Sequence, residues 1–107
     1  MRRLSANWAT FGLGVLGDQD SPEIRQALSR RLNDEAVDAR EEALVALAKR
    51  RDTRILSQLI RELEQPSISY RTVEAAYTIL GFDRDQEEWS VRDYARALRE
   101  RFAGIAQ

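Results

Sequence analysis

Asp83, Asp85 and Glu87 have the i, i+2, i+4 spacing of the acids that open a calcium-binding loop. Such a loop also needs a glycine at its sixth position, for the sharp turn, and a two-pronged glutamate at its twelfth. Those positions hold Glu88 and Tyr94, so helix capping and solubility explain the acids better than an ion does. Glu41 and Glu42 are adjacent, about 100° apart around a helix, and cannot converge on one substrate atom as an acid–base pair would. There is no cysteine, which excludes disulfides, zinc–thiolate sites and thiol catalysis. There is no histidine, which excludes Ser-His-Asp chemistry and imidazole acid–base work. Carboxylates, arginines, three tyrosines and one lysine remain, a poor catalytic kit. The chain is expected not to be an enzyme and to need no metal or cofactor.

Arg30 with Arg31, and Arg50 with Arg51 and Arg54, could form a basic ridge for nucleic acid. Both pairs also suit last helical turns, where cations favour the helix dipole. Seventeen basic residues against 18 acidic ones leave a net charge of −1, which argues against a nucleic-acid or anionic-membrane partner. Sixteen of the cations are arginine, the residue suited to two-pronged carboxylate pairing, and Asp34, Asp38, Glu62, Glu64 and Glu74 are available partners.

The elements that must position these side chains read as helices throughout, with no sustained period-2 alternation. Ile24, Ala27, Leu28 and Leu32 form one stripe, opened by Ser21 as N-cap and Pro22 at the first helical position. A helix over about 35–50 carries Ala39, Ala43, Leu44 and Leu47. The next has Ile55, Leu56, Leu59, Ile60 and Leu63, opened by Asp52 and stopped at Pro66. Val73, Ala76, Tyr77 and Leu80 mark another, which ends at Gly81. Val91, Tyr94, Ala95, Leu98, Phe102 and Ile105 mark the last, with Asp85 and Glu88 read as its capping box. Trp89, Tyr94 and Phe102 are expected to cap the assembly.

An N-terminal helix over 8–16 has apolar residues on two sides: Trp8, Phe11 and Val15 on one stripe, Ala9, Leu13 and Leu16 on another. Arg2 and Arg3 before it resemble a secretory signal, but no small-x-small cleavage site follows. The run is also shorter than the roughly 20 residues that span a bilayer, so a cytoplasmic protein is expected. Two exposed aromatics would signal an interface, and a homodimer through Trp8, Phe11 and Val15 is the expectation. A folded-back C-terminal helix or further repeats upstream are the alternatives.

Three segments recur in order. Ala9, Ala43 and Ala76 fall at spacings of 34 and 33, as do Leu13, Leu47 and Leu80. Small residues follow each leucine at Gly14, Ala48 and Gly81, and would let helix backbones approach closely. A two-helix unit that cannot bury both faces alone would stack on its neighbours.

Residues 8–14 (WATFGLG), 20–25 (DSPEIR) and 39–44 (AREEAL) together resemble short bacterial HEAT-repeat proteins, which are related to the HEAT-like repeats of phycobilisome lyases. The resemblance covers roughly residues 7 to 81. It implies an all-α fold: a short right-handed, armadillo-like α-solenoid of HEAT-like hairpins with a C-terminal capping helix. The divisions would be a half repeat over 1–17, repeats over 18–51 and 52–82, and the capping helix over 83–107. It also implies a non-catalytic scaffold that binds another protein through the second helix of each hairpin. The polar residues there are Asn7, Thr10, Arg40, Glu41, Arg71, Glu74 and Thr78, with Arg40 and Arg71 as anchors. Arg40 also matches the repeat pattern, which weighs toward a structural role. The valine that usually precedes such an arginine is Ala39 here, and Ala6 and Val73 occupy the other arginine positions, which puts a continuous arginine ladder in doubt. A tetratricopeptide reading ranks second, because its tryptophan and glycine do not recur at Glu42 and Ala46. A nucleic-acid-binding HEAT-like protein, or an accessory subunit of a chromophore-lyase-like enzyme, are the alternatives the resemblance leaves.

Overall fold

Ser21 opens the first described helix by accepting the Ile24 amide on its hydroxyl at 3.1 Å. Pro22 follows in the first turn, where a missing N–H leaves no bond unmade. The computed structural model describes residues 20–104, and the expected N-terminal helix lies outside them. The described chain is all-helical. It comprises α1 (Pro22–Arg31), α2 (Val37–Lys49), a 3-10 turn (Thr53–Ile55), α3 (Leu56–Leu63), α4 (Tyr70–Ile79) and α5 (Val91–Arg101). No strand occurs among the described residues.

The apolar stripes read from the sequence form the core. Leu28, Leu44, Leu47, Leu59 and Leu98 are fully buried, and Leu63 nearly so. Six consecutive residues of α2, from Ala43 to Ala48, are buried, so this helix needs cover on more than one side. Among the described elements α1, α4 and the 3-10 turn provide it, and the most extensive contact is between α2 and α4. Ala43, Ala46 and Ala48 on α2 and Ala75 and Ala76 on α4 are sealed from solvent, and side chains this small suit close approach. α3 packs on α4 and α5, and α5 also rests on α4.

Ala48 and Gly81 are small for different reasons, although the 33-residue spacing pairs them. Ala48 lies inside α2, fully buried. Gly81 is exposed and sits past the end of α4 with φ +99°, in the left-handed cap that favours glycine. The expectation that it brings two backbones together does not hold. Its counterpart is Arg51, at φ +56° beyond α2. In both caps the next amide reaches back: Asp52 N–H to the Leu47 carbonyl at 3.0 Å, Phe82 N–H to the Tyr77 carbonyl at 2.9 Å. The helix starts are thus 33 residues apart and the caps 30, because α4 is one turn shorter than α2. The two caps lie together, with Arg51 Nη1 3.6 Å from where a Gly81 Cβ would stand. α2 and α4 therefore run side by side in the same direction.

Asp52 caps the 3-10 turn instead of α3 directly, accepting the Arg54 amide at 3.0 Å. It is 5% exposed and sits in a knot of charge. Arg25 on α1 grips Asp20 with two bonds, at 2.8 and 2.6 Å, and reaches Asp52 at 3.3 Å and the Arg50 carbonyl at 3.1 Å. Arg54 donates to Asp52 at 2.8 Å, and buried Arg50 donates to the Ala46 carbonyl at 2.8 Å. This knot bolts the start of α1 to the end of α2.

The capping box of α5 is Ser90 with Asp93, not Asp85 with Glu88. The Ser90 hydroxyl accepts the Asp93 amide at 3.3 Å, and Asp93 accepts the Ser90 amide at 2.8 Å. Asp85 instead accepts a hydrogen bond from the hydroxyl of Tyr94, whose oxygen accepts the Gln86 amide at 2.6 Å. Trp89 meets Phe82 edge-on at 5.5 Å and Tyr94 at 5.1 Å, which folds the 80–90 segment against α5. Of the three residues expected to cap the assembly, Tyr94 is buried, Phe102 partly so, and Trp89 lies at the surface.

Candidate protein-binding face

The residues expected to bind a partner lie on α2 and α4, and the turns before those helices set their directions. No side chain caps α2 at Ala36; Asp34 accepts the Ala36 amide at 2.9 Å instead and pairs with Arg31 at 2.9 Å. Those two donors, the amide first, hold the Asp34 carboxyl below its ordinary value. Arg40 closes the turn by donating to the carbonyls of Asp34 at 2.9 Å and Glu35 at 3.2 Å. Its guanidinium is thereby a brace for the α1–α2 loop. At the start of α4 the Ser69 hydroxyl accepts the Arg71 amide at 3.0 Å.

Asn7 and Thr10, and Trp8, Phe11 and Val15 of the expected dimer edge, lie outside the described residues. Arg71 is exposed on α4, while Glu41 on α2 and Glu74 and Thr78 on α4 are partly buried. Glu41 and Glu74 occupy matching positions, 33 apart, on the two helices with the most extensive contact. Neither carboxylate has a hydrogen-bond or ion-pair partner among the described residues.

Sequence reasoning missed Val37 and Tyr70. They are the first residues of α2 and α4, again 33 apart, and they are 52% and 64% exposed. The repeat spacing already paired them, but the apolar-stripe criterion left them out because they precede the buried stripes. The Tyr70 hydroxyl shares a 3.3 Å hydrogen bond with the hydroxyl of buried Tyr77, which fixes the Tyr70 ring. That bond first, then burial, then the charges of Glu74 and Asp85 push Tyr77 well above the usual phenol range. Burial, then the bond to Asp85, raises Tyr94 to about 12.

The arginine pairs form no single ridge. Arg30 and Arg31 end α1, whereas Arg50, Arg51 and Arg54 lie at the opposite end of the α1–α2 pair, about 15 Å away along a ten-residue helix. A separate open groove of about 880 Å³ lies between the end of α3 and α5. Leu63, Val91 and Ala95 floor it, and the Arg99–Glu64 ion pair sits on its rim. Among the described residues no group of three or more histidines, cysteines or carboxylates is placed to hold a metal ion. No described helix is long and apolar enough to cross a membrane.

No family model and no solved structure matches the chain. It is similar to the protein YibA of Escherichia coli, in strain K12 and in strain O157:H7, with 34% identity over 70 residues in each. That match covers 65% of this chain and 25% of those proteins, so the chain spans about a quarter of the relatives' length.

Proposed function

We propose that this chain is a cytoplasmic, non-catalytic scaffold that binds another protein through the exposed face of α2 and α4. In this reading α1–α2 and α3–α4 are HEAT-like hairpins of a short solenoid, whose right hand follows from the family resemblance. The observation that carries it is the packing of alternate helices, α2 on α4 and α3 on α5, which is how stacked two-helix units bury their faces. The second helices then share one surface, the usual position of a binding face in such stacks. Arg71, Glu41, Glu74 and Thr78 are its polar contacts, and Arg40 supports it from behind.

Photo-crosslinking tests this. Benzoylphenylalanine placed at position 71, on α4, is expected to capture a partner that the same group at exposed position 57, on α3, does not. Equal capture from both positions, or none from position 71, would sink the reading. Self-association through Trp8, Phe11 and Val15 belongs to the same proposal, motivated by the two-sided apolar pattern of 8–16. Molar mass by light scattering is expected near twice 12.3 kDa and to halve in Trp8→Asp. A wild-type monomer would remove the dimer and leave the α2/α4 face untouched.

A further inference from the structure

The α2/α4 face carries a repeated two-residue pattern. Each helix begins on an exposed apolar residue, Val37 or Tyr70, and one turn later, on the same stripe, stands a glutamate, Glu41 or Glu74. Packed helix axes lie about 8–10 Å apart, so the face presents two carboxylates at roughly that separation, each below an apolar side chain. Both glutamates are partly buried residues, and no cation among the described residues pairs with either carboxylate. Asp38 on the first turn of α2 adds acid, as does Asp85, whose charge is felt at Tyr77; Arg71 stands on the flank with the opposite sign. The positive ends of the two helix dipoles also oppose a cation. They amount to about half a charge each, and Ser69 caps that of α4, against a full charge on each glutamate.

This balance selects among partners. An acidic segment would be repelled, and a purely apolar one would bury Glu41 and Glu74 without a donor. A cation answers both, and Tyr70 narrows the choice. Its ring is exposed, held by the bond to Tyr77, and a guanidinium can lie flat on it while donating two bonds to Glu74. An ammonium, a point charge, gains less from that pairing.

Resting on the protein-binding reading, we infer that the α2/α4 face takes an extended, arginine-bearing segment of the partner, one guanidinium on Tyr70 and Glu74 and a second on Glu41 beside Val37. A polyproline-type segment rises about 3.1 Å per residue with three residues per turn, so arginines three apart share one side at about 9 Å. That matches the spacing of the two helices.

The probe is the blocked peptide Arg-Pro-Pro-Arg, titrated into the ¹⁵N-labelled chain beside its Lys-Pro-Pro-Lys and Glu-Pro-Pro-Glu counterparts. Shifts are expected at the amides of Val37, Glu41, Tyr70 and Glu74, with the arginine peptide about fivefold tighter than the lysine one and no response to the glutamate one. Glu41→Gln and Glu74→Gln should each weaken binding by about five- to tenfold, and Tyr70→Leu should erase the arginine preference. Glu100→Gln, on α5, should change nothing, and far-UV circular dichroism checks that every variant is folded. Equal binding of the arginine and lysine peptides, shifts centred on α5, or no saturation at millimolar peptide would overturn the inference. If position 71 still crosslinks a partner in that case, the protein-binding reading stands and only the arginine chemistry falls. If neither result appears, both fall.

Discussion

At the junction of α1, α2 and the 3-10 turn, Asp20, Arg25, Asp52 and Arg54 satisfy one another's charges through bonds of 2.6 to 3.3 Å, and Arg50 approaches Asp20 at 3.8 Å. At the other end of α2, Glu41 and its counterpart Glu74 have no such partner among the described residues. The same residue types therefore do two jobs. Where cations from two elements converge on a buried carboxylate, charge holds helices in register. Where carboxylates stand on two neighbouring helices with no cation from the described residues paired to them, charge is left for something else to meet. The two regions should answer differently to substitution, and the predictions follow that difference from the greatest effect downward.

Asp52 should be the most sensitive position. Its side chain is buried, caps the 3-10 turn and receives Arg25 and Arg54. Asp52→Ala removes the cap and leaves both guanidiniums facing a void, a loss of about 2–3 kcal/mol after allowance for their partial exposure. Asp52→Asn keeps an acceptor for the Arg54 amide and should lose about half as much. Denaturant unfolding of the two variants would show this; equal, near-zero losses would mean the knot contributes nothing to cohesion.

Tyr94→Phe comes next. The buried hydroxyl joins Asp85 and the Gln86 amide, tying the 80–90 segment to α5. Its removal should cost about 1–2 kcal/mol and speed hydrogen exchange at Gln86. Unchanged exchange there would show that the Trp89 and Phe82 ring contacts hold the segment unaided.

Acid and alkali sharpen the comparison with smaller effects. Asp20, lowered chiefly by its bond to Arg25, and Asp34, lowered chiefly by the Ala36 amide, have folded pKa values below 3.8. A depressed carboxylate contributes stability that is present above its unfolded value and lost as pH falls through the folded one. Tyr94 is raised to about 12, so its contribution is complete below about 10 and lost as pH rises toward 12. There is no histidine to titrate between these limits. Thermal melts should therefore show a plateau from about pH 5 to 9, with losses on both sides. A step near neutrality would contradict this.

Helix positions, the Ser21 cap and the buried leucines were legible because they depend on residues a turn or less apart. What was not legible depends on pairing across elements. Arg25 and Asp52 are 27 residues apart, and nothing local distinguishes Arg25 from the other arginines. Asp85-x-x-Glu88 and Ser90-x-x-Asp93 both have capping-box spacing. The choice went to Ser90 because the helix starts at Val91, while Asp85 accepts the Tyr94 hydroxyl. The repeat pattern weighs toward a structural role for Arg40, but it cannot name the carbonyls of Asp34 and Glu35 to which Arg40 donates. Gly81 looked like a packing glycine because spacing alone cannot show that α4 ends one turn early.

The smallest expected effect bears most directly on the comparison. Glu41→Gln and Glu74→Gln change charge at nearly constant shape, at positions with no hydrogen bond or ion pair to lose among the described residues. If those carboxylates are held for an outside donor, the free protein should not depend on them, and each variant should unfold within about 0.5 kcal/mol of wild type. Relief of repulsion between the two could even raise stability slightly in the double variant, an increment that salt should shrink. A loss near that of Asp52→Ala would mean the glutamates work inside the fold, and the contrast between the two regions would disappear. Stability that is unchanged while peptide binding weakens would separate recognition from cohesion on the same pair of helices.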